Sequence, residues 1–236
     1  MLFNVDKCKV MHFGKHNAHY DYTLNNKPLV KVTEERDLGI VISSDLKVSQ
    51  QCSQAYSKAS KMLGVLNRSI VYKSKDIMLK LYKSLVRPHL EYCTAAWSPH
   101  YVKDKELLER IQRRFTRLIP ELKGLSYSDR LNALKLWTLE ERRIRADLIE
   151  VYKMLNGLSD VSFCSMFTLD LSKRTRGHSY KLIKSRFNTV LRQHFFSDRV
   201  IKFWNSLEDS TVSAPSLNCF KRRLGQQRHL LQMGLP

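Results

Sequence analysis

Residues 76–101, DIMLKLYKSLVRPHLEYCTAAWSPHY, limit what this chain can fold into more than any other stretch. Ile77, Leu81, Leu85, Pro88, Tyr92 and Ala96 recur three or four apart, which lays one apolar stripe along a helix. Asp76 stands where a carboxylate can accept from the free N–H groups of a first turn. Pro88 lies inside the stripe. It removes a backbone donor and crowds the carbonyl of Ser84, so the pattern predicts a kinked helix. Ser98-Pro99 marks its expected end. Tyr82, Tyr92 and Trp97 favour deep packing, and Lys80, Lys83 and Arg87 fall on the other side. That basic side is either a solvated face or a surface for phosphates.

Helical periodicity continues on both sides of this segment. Cys52, Ala55, Tyr56, Ala59, Met62, Leu63 and Leu66 form one series, with Lys58, Lys61 and Arg68 elsewhere on the wheel. Leu107, Leu108, Ile111, Phe115 and Leu118 form another. Arg110, Arg113, Arg114 and Arg117 populate its far side, while Asp104, Glu106 and Glu109 stay near the N-terminus, where the helix dipole favours them. Ser126–Asp129 and Thr138–Glu141 fit the capping-box pattern and open a short helix and a long one, the latter stopping at Gly157. Arg142, Arg143 and Arg145 sit in the first turns of the long helix, against its dipole, and call for an anion or an acidic neighbour.

The first 48 residues read as strands. Tyr20, Tyr22 and Leu24 alternate, Val30 and Val32 answer them, and Asn25-Asn26-Lys27 suits a hairpin turn. Leu38 to Ile42 reads as a short apolar strand broken by Gly39, a residue that often marks a close approach. The expected class is therefore α+β: short N-terminal strands, then a mainly α-helical bundle. The expected division is 1–48 β-rich, 49–157 helical, 158–175 a linker, and 176–236 a basic helical and β region. From the end of the linker into the last region, Arg174, Arg176, Lys181, Lys184, Arg186 and Arg192 flank Tyr180 and Phe187. Such mixing suits single-stranded nucleic acid, with rings under bases, or a β-hairpin with its aromatics in the core. Ser197 and Ser216 are expected to cap two final helices.

Net charge is +19 over 236 residues. Residues 1–48 hold seven Lys and Arg against six Asp and Glu; residues 49–165 hold 21 against 12, and residues 166–236 hold 13 against four. The excess thus lies in the last two blocks, the candidate polyanion surfaces. Five cysteines without a CxxC pair argue against structural zinc and fit a reducing, intracellular compartment, nuclear or cytoplasmic. Cys8, His12, His16 and His19 cluster without a firm zinc spacing. No run of 18 apolar residues occurs, so no membrane partner is expected.

LYKSLVRPHLEYCTAAWSP resembles the run that follows the polymerase core in non-LTR retrotransposon reverse transcriptases of the jockey-like and chicken-repeat-like groups. FNVDKCKVMHFG, ERDLGIVIS, LSYSDRL, LEERRIRADLIEVYK, RGHSYKL and FSDRVIKFWNSL resemble further blocks of that family, in its order and over nearly the whole chain. The resemblance implies the end of a palm (residues 1–48), a thumb (49–157) and the region beyond. It implies that Lys7 lies near the departing pyrophosphate and that Leu38-Gly39-Ile40 forms the centre of a primer grip. It further implies RNA and DNA as partners, gripped by the template–primer backbone, and, if it is encoded upstream, the missing N-terminal polymerase portion. Two-metal phosphoryl transfer needs paired carboxylates, and the family supplies them from an aromatic-Ala-Asp-Asp turn. No Asp-Asp pair occurs here. Mg²⁺ is thus expected only in an intact polymerase, and no cofactor in this chain. A non-catalytic, duplex-gripping fragment is the expected function; the alternative is a host-used helical module that binds a protein through exposed aromatics. Primer extension on an RNA template with Mg²⁺ or Mn²⁺ should give no product from the purified chain. Template-dependent extension abolished by a point change within it would contradict the expectation.

Overall fold

Asn25 and Asn26 both adopt left-handed backbone, φ 51° and 59°, which their short polar side chains tolerate. They join β2 (Thr23–Leu24) to β3 (Lys27–Pro28), so Lys27 already belongs to the strand. β1 (Lys9–Val10) pairs in parallel with β4 (Val30–Lys31). β5 (Glu34–Asp37) and β6 (Ile40–Ser43) form the longest hairpin, with Glu34 opposite Ser43. The computed structural model describes residues 3–14, 16–172 and 177–233. Its class is α+β, with these strands ahead of a helical bundle. Leu38-Gly39 is the turn between β5 and β6, not the strand interior that the apolar pattern predicts, because both residues take positive φ (45° and 88°).

Helix α1 (Ser49–Ser69) buries Cys52, Ala55, Ala59, Leu63 and Leu66 as expected. The following helix is irregular ahead of Pro88, and the irregularity has a defined form. α2 (Lys75–Leu81) runs into a π-helical turn at Tyr82–Val86 and then α3 (Arg87–Glu91). The Arg87 N–H donates to the Tyr82 carbonyl, five residues back. This widening moves the buried face. Ile77, Leu85 and Tyr92 are exposed, and Met78, Tyr82, Val86 and Leu90 are buried instead. Those four stand four apart, and on a regular helix each such step drifts by about 40°. One wide turn takes up the drift and keeps them on one side.

The helix also stops earlier than Ser98-Pro99, at Glu91. Tyr92 is extended and Cys93 takes φ 52°. The indole of buried Trp97 donates to the Tyr92 carbonyl at 2.8 Å, which closes the turn.

Two apolar clusters result. The first joins α1, α2, α3, α4 (Val102–Arg117) and α5 (Tyr127–Leu134). Tyr82 and Phe115 stack within it at 4.1 Å, and the Tyr82 hydroxyl donates to Gln112 Oε1 at 2.9 Å. Burying one such ring contributes about 1.5–3 kcal/mol, provided its polar tip finds a partner. The second cluster is built on α6 (Leu139–Leu155), whose capping box forms as expected at Thr138 and Glu141. Around it pack α7 (Phe163–Met166), α9 (Phe196–Arg199), α10 (Ile201–Asn205), α11 (Asp209–Val212), α12 (Leu217–Gln226) and α13 (Arg228–Met233), while α8 (Val190–Gln193), with Val190 and Leu191 exposed, leads into α9. Leu139 lies in the first cluster and Leu148 in the second, so α6 serves both.

Residues 158–172 are packed against this second cluster: Phe167 is buried, and Leu169 bridges to Leu182. From residue 177 the basic-aromatic stretch is a mainly irregular strap, joined in antiparallel to residues 168–170 by that bridge and by the Asp170 and Ile183 N–H groups, which donate to the Lys181 and Thr168 carbonyls at 2.8 and 2.9 Å. Asn205 holds Leu182 by both its amide atoms, at 2.8 and 2.9 Å. Ser197 lies inside α9 and is buried, so Phe195 takes the cap position; Ser216 does cap α12.

Before Ser49, Val41 and Ser43 are the only buried residues among those described. The β5–β6 hairpin is pinned by the Val41 N–H, which donates to buried Gln51 of α1 at 2.9 Å. Hydrogen exchange should therefore open β2–β3 first, β5–β6 later, and Val86 and Leu90 last. Equal protection of β2–β3 and Val86 would contradict this order.

Candidate nucleic-acid interface

Helix α4 sorts its charges by side. Leu108, Ile111 and Phe115 are buried, and Arg110, Arg113, Arg114 and Arg117 are all exposed. Two of its acids turn inward, so they are not the surface acids of a first turn. Asp104 is buried and accepts from the Ser49 hydroxyl at 2.7 Å. Glu109 accepts from the Tyr127 hydroxyl and from the Leu139 N–H, the latter at 2.8 Å. Burial raises the Glu109 carboxyl above its ordinary value despite these donors. What remains outside is mainly cationic.

Helix α1 lies parallel to α4, since Ser49 meets Asp104 and, further along, Arg114 Nη1 donates to Ser60 Oγ at 3.4 Å. Lys58 and Lys61 stand near Ser60 in the sequence of α1, and Arg68 follows near its end; at about 100° per residue Lys58 falls on the flank away from Ser60. Lys61 and Arg68 are exposed and Lys58 is half-buried. None of these seven cations forms an ion pair among the described residues. Arg113 rests over the Tyr127 ring at 5.3 Å.

Other arginines are used internally. Arg142 is paired with Glu91, Arg192 with Asp198, Arg199 with Asp147, and Arg228 with Glu141. Arg143 is buried, donates to the carbonyls of Leu139 and Leu90, and stands 5.3 Å from the Trp97 ring. The basic first turns of α6 thus have internal partners, and the acid that meets Arg142 comes from α3 rather than from α6 itself.

The remaining predicted positions lie apart from this face. Lys7 is exposed in a 3₁₀ turn, Val5–Lys7, just before β1. Gly39 faces Tyr92: a Cβ there would meet the ring at 3.4 Å, and the Tyr92 hydroxyl donates to the Leu38 carbonyl at 3.0 Å. Leu38 is 84% exposed at the hairpin tip, in a left-handed conformation that costs a non-glycine residue about 1–2 kcal/mol. Lys181 and Lys184 sit on the strap, Lys184 at 5.4 Å over Phe187. Arg174 and Arg176 lie outside the described residues.

Between the two clusters opens a cleft of about 700 Å³, and Arg113 and Lys184 both line it. Much of its charge is neutralised within its own wall. Lys105 pairs with Glu140 at 2.5 Å and Arg199 with Asp147 at 2.8 Å. The imidazoles of His100 and His194 stack across it at 4.2 Å. These two residues are 94 positions apart, and neither belongs to a recognisable spacing, so the sequence carries no signal for the pair. Among the described residues no three His, Cys, Asp or Glu side chains converge as metal ligands, and no helix is long and apolar enough to cross a membrane. No family model, curated protein or solved structure matches the chain.

Burial lowers the proton affinity of both stacked histidines, and the positive charge of Lys105 lowers both further. A depressed folded pKa means that the neutral ring is favoured in the fold. The associated stability is complete above the ordinary imidazole value of about 6.5 and is lost as pH falls through it. Glu109 and Asp147, raised by burial, contribute the opposite slope. The thermal midpoint should fall between pH 7.5 and 5.5, and by less in a His100→Gln, His194→Gln variant. An equal fall in both proteins would remove the stack from the explanation.

Proposed function

We propose that the chain binds nucleic acid by its backbone, as the non-catalytic thumb-side part of a non-LTR retrotransposon reverse transcriptase. The observation that carries this reading is the exposed arginine row of α4 together with Lys58, Lys61 and Arg68 of α1, seven cations without a carboxylate partner among the described residues. Backbone contact asks for cations on rigid helices and little base-specific chemistry. A row of this kind on two packed helices supplies both. The sequence blocks described above supply the family, and with it a template–primer duplex as the polyanion and an intracellular site of action. The resemblance assigns the primer grip to Leu38-Gly39-Ile40, and exposed Leu38 at the hairpin tip is compatible with that role.

Each phosphate contact contributes about 0.7–0.9 to the slope of log affinity against log salt. Changing Arg113, Arg114 and Arg117 to Gln should lower the slope for an RNA–DNA primer–template by about two to three. Folding should be nearly unaffected, because exposed charges contribute little to stability. The matched control changes Lys73, Lys75 and Lys103, near helix starts, to Gln. Equal losses in the two variants would reduce the arginine row to a solvated face. Unchanged affinity in both would instead favour a protein partner.

A further inference from the structure

A second concentration of positive charge lies away from the α1–α4 row and has a different shape. Lys83 of the π-helical turn, Arg87 of α3, Lys135 at the end of α5, and Arg142 and Arg145 of α6 line one recess of about 340 Å³, with Trp137 on its wall. No carboxylate lines it. Among the described residues Glu91 is the one acid paired with these cations. It meets Arg142 through both oxygens and Arg87 at 3.5 Å. Five cations against one carboxylate leave four positive charges converging on a small volume.

Packing does not require this convergence. Arg145 donates to the Lys221 carbonyl at 3.2 Å and stands 5.7 Å from the Trp137 ring, which leaves most of its five N–H groups free. Lys83 and Lys135 are exposed and form no ion pair among the described residues. Arg142 repels both of its neighbours: its charge, after burial, lowers the proton affinity of Arg87 and of Arg145. Lys135 holds its place in a left-handed conformation, φ 51°, where Gly or Asn is the ordinary choice. An arrangement that accepts like-charge repulsion and a disfavoured backbone in a concave site has the character of a preorganised anion site.

We propose that this recess binds a compact polyphosphate anion, with two or more linked phosphates. Arginine forks match phosphate oxygens in pairs; Arg145 presents a largely free one, and Arg87 and Arg142 keep the N–H groups that Glu91 does not take. One phosphate group carries about −1.5 to −2 charge at neutral pH, too little for four positive charges, whereas two linked groups come close to matching them. The volume lies at the small end of ligand sites. The three guanidiniums are half-buried, which suits a free anion entering the recess better than the outer surface of a duplex.

The test uses the full chain at low ionic strength and sodium pyrophosphate as the probe. Pyrophosphate should raise the thermal midpoint in step with the logarithm of its concentration. Sulfate and orthophosphate at matched ionic strength should do much less. Lys83→Gln and Lys135→Asn remove exposed charges without touching an ion pair, and Asn tolerates the left-handed position. Each should weaken pyrophosphate binding by about tenfold, the cost of one charge-assisted contact. The Arg113, Arg114, Arg117 triple variant should bind pyrophosphate as the unaltered chain does, which separates this site from the α1–α4 row. No shift with pyrophosphate would overturn the proposal. So would an equal shift with sulfate, or undiminished binding in both lysine variants. Dependence on Lys83 and Lys135 seen only with a short oligothymidylate would also overturn it, and would make the recess a backbone contact for nucleic acid.

Discussion

Beside α6, which runs through both helical clusters, one guanidinium ties them to each other. Arg199 meets both oxygens of buried Asp147 at 2.8 and 2.9 Å, and reaches the carbonyls of Thr94 and Ala95 at 3.1 and 3.0 Å. Asp147 belongs to α6, and Thr94 and Ala95 to the turn that follows α3. A C-terminal helix is thereby fastened to both halves of the fold at once. Burial raises the Asp147 carboxyl and the Arg199 charge lowers it, so the pair depends on each partner being present. Removing one member of such a pair leaves the other charged and unsatisfied, at a cost of about 3–5 kcal/mol. Truncating Arg199 would release two carbonyls as well.

Local order was legible in the sequence wherever it rests on local physics. The stripes of α1 and α4, the capping box at Thr138, the Asn25-Asn26 turn and the stop at Gly157 need only neighbours within a few residues. Failures came where a distant contact decides. The stripe through Ile77 and Leu85 is as regular as a true one, yet a π-helical turn at Tyr82 rotates the helix and buries Met78 and Val86 instead. Nothing between residues 76 and 91 announces that choice; it follows from the fit of Tyr82 against Phe115 and Gln112, some 30 residues on. The Leu38-Gly39 turn was hidden for a related reason. Leucine is a poor residue for positive φ, and its place there is held by the hydroxyl of Tyr92.

The candidate surface was half legible for the same reason. Composition locates an excess of arginine, but not which arginines are free. In α6, basic residues stand in the first turns and look available, yet Arg142 and Arg143 are committed to Glu91 and to backbone carbonyls. In α4, Glu106 and Glu109 stand four residues before Arg110 and Arg113, and Asp104 six before Arg110, so the acids look able to neutralise them. Asp104 and Glu109 instead point inward to Ser49 and to Tyr127. The difference between a solvated face and an available one is therefore made by the acids. Their side chains are drawn into the core by hydroxyl and backbone donors that only the folded chain assembles.

That withdrawal has an energetic consequence. Arg110, Arg113, Arg114 and Arg117 stand three and four apart, so each repels the next by a few tenths of a kcal/mol, and Lys61 adds its charge from α1. Arg114 and Arg117 recover part of this from the negative end of the helix dipole. The rest is borne by the core beneath, where Leu108, Ile111 and Phe115 are buried against α1 and α2. A helix that exposes four like charges above so apolar an underside is stable because of the underside. Its outward face is free to be chosen for something other than stability, and the choice made along α4 is uniformly cationic from Arg113 to the last turn.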